Sequence, residues 1–171
     1  MIRTTRRTVL LAAAGLPLAG SGGPAHAEDR AATAPLLLFD PATEEGRRFA
    51  DHARVLGMQP VAIRGDRVRF AAPLVALRPE RIVGVTRHAD RLLLGGIAAA
   101  EGYRERLAVR HVDGRCATEA CDKWAGAGAF LAGADRAWPE ALAALAAGRA
   151  APARGLPPAP AGAAGWVLTR A

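Results

Sequence analysis

Serine, cysteine, lysine and aromatic residues are all scarce in this 171-residue chain. The one serine, Ser21, falls in a stretch expected to be cleaved off, so the mature chain has no serine nucleophile. With no Gly-x-Ser-x-Gly either, serine hydrolases are excluded. Gly-x-Gly-x-x-Gly after a strand and a phosphate loop with Lys-Ser/Thr are both missing, which removes the common nucleotide-binding signatures. There is no Cys-x-x-Cys-His, so covalent c-type haem is excluded, and no Cys-x-x-Cys of the thioredoxin kind. Aromatics make up 5% of the chain. So few stacking platforms, with a mild mature charge, set nucleic acid aside as a partner. Past the first residues no apolar run approaches the roughly 18 needed to span a bilayer. The best, Leu92–Ala100, is short and holds Gly95-Gly96.

What the chain does carry begins at its start. Arg3, Arg6 and Arg7 precede an apolar run over residues 9–20, and Ala25-His26-Ala27 follows as a small-x-small cleavage triplet. A charged start, a short apolar core and such a triplet define a secretory signal peptide. The Arg6-Arg7 pair just before the core points to the twin-arginine route. Residues 1–27 are therefore read as a leader and the product as exported to the periplasm. The formal charge of +7 falls to +4 without the three leader arginines. Lys123 is the sole lysine, and Ala, Gly, Pro and Arg crowd the chain, so the arginine excess partly reflects coding bias.

The remainder, residues 28–171, has the length of one ordinary domain. Leu36–Phe39, Pro60–Ile63, Arg81–Thr86 and Arg106–Val112 read as strands. Between them, 43–56 and 89–103 read as helices, with 67–80 ambiguous between strand, turn and short helix. Leu92, Leu93, Ile97 and Ala100 are expected to face inward in the second helix, and Gly95-Gly96 suggests close packing on a sheet. Residues 135–148 read as a helix opened by Pro139 and stopped by Gly148. A Pro/Ala-rich connection at 149–164 leads to an apolar Gly165–Thr169, a candidate terminal strand. Strand–helix alternation implies an α/β, three-layer domain with a short, mainly parallel sheet and helices on its faces. The strand ending at Val112 is expected near a sheet edge.

In parallel sheets ligands bind beyond the carboxyl ends of the strands. Those ends supply Asp40, then Arg64 and Asp66, then Thr86, Arg87 and His88, then His111. Together they form the candidate ligand-binding set. Each has a plainer reading. Asp40 before Pro41 shapes a turn as readily as it binds, Gly65-Asp66 is a common turn pair, and Thr86-Arg87-His88 suits helix capping. A histidine within a strand, as at 111, is more often exposed or satisfied by a neighbour than catalytic. Cys116 and Cys121, separated by four residues, most simply form a local disulfide in an oxidising compartment. Their spacing matches no zinc pattern.

The paired-arginine leader, the Phe39-Asp40 opening before a helix, the Ile63-Arg64-Gly65-Asp66 turn and the Ile82–Leu94 segment resemble a group of small twin-arginine-exported α/β proteins of Gram-negative bacteria. The resemblance covers most of residues 36–112 and extends to Trp138 and the closing Trp166-Val-Leu. It implies export and fold, and brings no catalytic residues. That group carries aromatics soon after the Gly-Asp turn, where this chain has only Phe70.

Two function classes follow. One is a non-catalytic periplasmic accessory or binding module for a small anionic ligand or an exported partner protein. The other is a small enzyme using His88, Asp66 and Asp40 for acid–base or metal chemistry. The first is favoured, because the usual catalytic motifs are missing and the arginines gather near the strand ends. No cofactor is implied.

Overall fold

The computed structural model describes residues 34–112, 115–149 and 163–171, without the side chains at 111, 112 and 115. The expected leader, the Asp113-Gly114 turn and most of the 149–164 connection lie outside the described residues. In chain order the elements are β1 (Leu36–Phe39), α1 (Glu44–Val55), β2 (Pro60–Ala62), α2 (Arg67–Ala76), β3 (Arg81–Arg87) and α3 (His88–Ala100). There follow β4 (Tyr103–Val112), β5 (Arg115–Ala120), α4 (Ala125–Ala134), α5 (Trp138–Ala146) and β6 (Ala163–Arg170).

The strands form one sheet of order β2-β1-β3-β6-β4-β5. The β1–β2 and β1–β3 pairings are parallel, whereas β3–β6, β6–β4 and β4–β5 are antiparallel. The expectation of a mainly parallel sheet is therefore corrected, although α/β layering holds. Strands β1 to β4 do share one direction, as their helical crossovers require. The terminal strand, however, enters between β3 and β4 and runs against both. A hairpin partner, β5, then covers β4, so β4 lies one place in from the edge.

Alternate side chains of each strand feed two cores. On one face Leu37, Phe39, Val83 and Val85 meet Phe49 and Ala53 of α1, Leu131 of α4, and Trp138 and Leu142 of α5. On the other, Leu38, Ile82, Trp166 and Leu168 meet Ala71 and Val75 of α2 and Leu94 and Ala98 of α3. Each of the two fully buried tryptophans sits over a glycine. A methyl group at Gly84 would lie 2.2 Å from the Trp166 ring, and one at Gly165 would lie 2.5 Å from that of Trp138. At both positions close approach demands glycine.

Local chemistry starts the helices as the sequence suggests. Thr43 Oγ1 accepts from the Gly46 amide at the head of α1, with Glu44 and Glu45 in the favourable first turn. Asp66 caps α2, accepting from the amides of Val68 and Arg69, so the first ten residues of the ambiguous 67–80 segment are helical despite Pro73. In α3 the expected inward set is corrected except for Ile97, which packs partly buried against the core, while Ala100 is exposed. Arg91, Leu94 and Ala98 face the sheet, whereas Leu92 and Leu93 are exposed. Ion pairs fix this rotation: Asp90 pairs with Arg67 at 3.1 Å, and Arg91 is held by Glu105 at 2.9 and 2.5 Å. The Glu105 hydrogen bond also raises the Arg91 pKa above its ordinary value. Gly95 and Gly96 face open space rather than the sheet, so their expected packing role is corrected too. Among the described residues no helix is long and apolar enough to cross a membrane.

Candidate functional site

The carboxyl ends of β1, β2 and β3 share one sheet edge, as their common direction requires. From β1 the chain passes to α1 on one face, and from β3 to α3 on the other, while β1 and β3 are neighbours. That is a topological switch point, the place where open α/β sheets bind ligands. Asp40 lies there almost wholly buried, its side chain 3% exposed, and pairs with the 57%-exposed Arg87 across 3.1 Å. Its Oδ1 accepts from the Ala42 amide at 2.8 Å. Its Oδ2 has the Arg87 charge beside it but no aligned hydrogen bond. Thr86 is buried, accepts from the Trp166 indole at 3.0 Å, and donates to the Arg87 carbonyl at 3.1 Å.

The rest of the expected set is dispersed in role. Asp66 is occupied as the cap of α2, and Arg64 is exposed. His88 is an exposed residue opening α3. The His111 side chain lies outside the described residues. Among hydrogen bonds and ion pairs of the described residues, only Asp40, Thr86 and Arg87 are brought together. Arg87 pairs with the carboxylate that folding has buried, and Asp40 Oδ2 has no hydrogen bond among the described residues.

A second arrangement, absent from the sequence-derived set, occupies the opposite edge. Here β4 begins, β5 ends and β6 ends, and a cleft of about 380 Å³ opens between Arg106, Cys121, Asp122, Lys123, Trp124 and Thr169. Arg106 is the extra residue of a β-bulge: Glu105 pairs with Leu168 and Leu107 with Val167, leaving it without a partner in register. A bulge bends the strand and re-aims the side chain it carries. The Arg106 carbonyl accepts from the Cys121 amide at 3.0 Å, which ties the end of β5 to the bulge. Arg106 Nε donates to Thr169 Oγ1 at 2.9 Å. That contact fixes the guanidinium by one nitrogen, and its terminal pair makes no hydrogen bond or ion pair among the described residues. Cys121 then starts a single 3-10 turn, Asp122–Trp124, that sets Lys123 and Trp124 beside the arginine. Trp124 is half-buried and packs against the core on the α1, α4 and α5 face of the sheet.

Two sequence signals marked this place, the lone lysine and a tryptophan next to it. The bulge left none, because it arises from pairing with a strand some sixty residues away.

The expected disulfide is corrected. Both cysteines are free, Cys116 half-buried and Cys121 exposed. Cys116 lies in extended β5 and Cys121 just past its end. Five extended residues span roughly 16 Å, against the roughly 4.4–6.8 Å between Cα atoms that a disulfide accepts. The Cys116 thiol instead donates to the Leu131 carbonyl at 3.7 Å. Burial, helped by the negative charge of Asp135, pushes its pKa up to about 11. Among the described residues no three His, Cys, Asp or Glu side chains gather closely enough to hold a metal ion.

No protein-family model, curated protein or solved structure matches the chain.

Proposed function

We propose that this protein is a non-catalytic binding module, exported by the twin-arginine route to the periplasm, that takes a small anionic ligand in the Arg106–Lys123–Trp124 cleft. The observation that carries the reading is the bulged Arg106, anchored by Thr169 through Nε and lining one cleft with an indole and an ammonium group, its terminal nitrogens unengaged among the described residues. Arginine grips carboxylates and phosphates through paired donors. The cleft, at about 380 Å³, is at the small end of the range for small-molecule sites. Asp122 on its wall offsets one of the two cations, which disfavours polyanions and suits a single negative charge. Trp124 supplies a flat apolar wall, so the best-fitting class is a monoanion with an apolar or aromatic body, such as an aromatic carboxylate.

The acid–base alternative gains nothing from the geometry. The Asp66 carboxylate is engaged by two amides, and Asp40 by an amide and Arg87.

Titration of the mature protein with benzoate, and separately with inorganic phosphate, tests the proposal through tryptophan fluorescence. Trp138 and Trp166 are fully buried, so a ligand-dependent change reports chiefly on Trp124. Benzoate should bind, and Arg106→Gln should weaken it at least tenfold while Arg87→Ala leaves it unchanged. Loss with Arg87→Ala and not with Arg106→Gln would move the site to the switch point. No binding of either anion would overturn the small-ligand reading. Export is tested separately: replacing Arg6 and Arg7 by lysine should leave the precursor in the cytoplasm.

A further inference from the structure

Asp40 carries a polar atom that the fold does not use. Its side chain is 3% exposed, yet Oδ2 accepts no hydrogen bond among the described residues. Buried polar oxygens in native proteins nearly always have a donor. The turn before α1 engages Oδ1 alone, through the Ala42 amide at 2.8 Å, a task asparagine would perform equally well. Arg87 brings its charge within 3.1 Å of Oδ2, but the N–H is not aligned on the oxygen. This acceptor still needs a hydrogen.

Around it stand groups of the opposite kind. The Asp40 amide donates to the Val85 carbonyl at 2.9 Å, and the Ile63 amide to the Phe39 carbonyl at 2.8 Å. Asp40 therefore sits at the carboxyl ends of three neighbouring strands, β2, β1 and β3, beside Arg87, which opens α3. That 13-residue helix has no side-chain cap. The first amides of a helix have no partner within it and form the positive end of its dipole. The Arg87 side chain is 57% exposed, and Arg64, just past β2, is exposed too. Of the nearby acids, Asp66 is held by the amides of α2 and Asp90 by Arg67.

We propose that this corner is a second binding site, separate from the Arg106 cleft, for a protonated tetrahedral oxyanion, inorganic phosphate. An acceptor short of a hydrogen, set among donors that favour an anion, calls for a ligand with both. Hydrogen phosphate has both. Its P–OH donates to Asp40 Oδ2, and its charged oxygens accept from Arg87 and the first amides of α3. Oδ2 is sealed from solvent, so entry requires Arg87 to swing from the carboxylate onto the anion. Sulfate has the same shape but no hydrogen, which leaves two oxygens facing each other. Benzoate fails for the same reason and stays a ligand of the other cleft. A phosphate monoester, with a second pKa of about 6, has lost most of its last proton at about pH 7.5. The site therefore selects the free anion over its esters.

Equilibrium dialysis of the mature protein against radiolabelled phosphate at about pH 7.5, with unlabelled competitors, tests the assignment. A site built to bond a hydroxyl rejects the analogue lacking it, so sulfate and methyl phosphate should each compete at least tenfold more weakly than phosphate. Asp40→Asn keeps the Oδ1 bond and turns the second oxygen into a donor, so sulfate should then compete about as well as phosphate. Arg87→Gln, at an exposed site, should weaken phosphate at least tenfold. Wild type that binds no phosphate, or that sulfate and phosphate compete for equally, overturns the proposal. So does a folded Asp40→Asn that keeps the wild-type preference, since residue 40 lies outside the Arg106 cleft. If Asp40→Asn does not fold, the wild-type competition and Arg87→Gln decide the matter.

Discussion

Gly84→Ala puts a methyl group where the Trp166 ring already lies. An ideal Cβ at 84 would fall 2.2, 2.4 and 2.8 Å from three atoms of that ring. These are separations at which something must move. The backbone of β3 cannot yield easily, since Gly84 is paired with Leu38 of β1 on one side and with Trp166 of β6 on the other. The indole must therefore shift by an ångström or more. That pulls its nitrogen away from Thr86 Oγ1, which it reaches at 3.0 Å in a buried site. Overpacking costs about 1–3 kcal/mol, and the lost buried hydrogen bond about 1 kcal/mol. Alanine returns about 0.5–1 kcal/mol of backbone entropy relative to glycine in a strand. The net loss is about 2 kcal/mol, or about 6 °C in Tm for a domain of this size. Chemical denaturation of wild type, Gly84→Ala, Trp166→Phe and the double variant measures it. Phenylalanine withdraws the ring atoms that clash, so the alanine should cost at least 1 kcal/mol less in that background. If Gly84→Ala is neutral, or costs the same with and without the indole, the packing account of this strand pair is wrong.

Two further predictions follow from buried charge and buried sulfur. Arg48 forks onto Glu140 at 2.7 and 2.9 Å and also donates to the Arg136 carbonyl, clamping α1 to α5. Glu140→Gln keeps the shape but leaves the mostly buried guanidinium without its counter-charge. It should cost about 3 kcal/mol, read as a lower urea midpoint. At neutral pH iodoacetamide should add once to the native protein, at exposed Cys121, and reach Cys116 only after unfolding. The Cys116 thiol titrates near 11 when folded, from an ordinary value of 9.0, so the unfolded chain loses that proton first. Stability should therefore fall as pH rises from about 9 to about 11. Cys116→Ala should reduce that part of the fall, as urea midpoints at pH 8 and 10.5 will reveal.

How much of this could be read without coordinates divides along physical lines. Local signals were legible because they act within a turn or two: the Thr43 cap, Gly148 as a stop, and the apolar strands Leu36–Phe39 and Arg81–Thr86. The alternation of strands and helices set the direction of β1 to β4, and with it the edge where Asp40, Thr86 and Arg87 meet. Pairing order was not legible. An apolar strand such as Ala163–Arg170 carries nothing that specifies its neighbours, and only the packed sheet placed it antiparallel between β3 and β4. The rotation of α3 was misread because its burial is decided by Arg67 and Glu105, which lie outside the helix and compete with leucine for the inward side. Likewise the extension of β5 kept two nearby cysteines apart, and the bulge at Arg106 exists only through its mismatch with β6. Sequence by itself determined most of the local elements and the Thr43 cap, because those depend on neighbours along the chain. Tertiary structure alone decided which charged residues stay paired, which apolar face stays open and where a cleft forms. Those outcomes depend on contacts between segments that the chain brings together only when it folds.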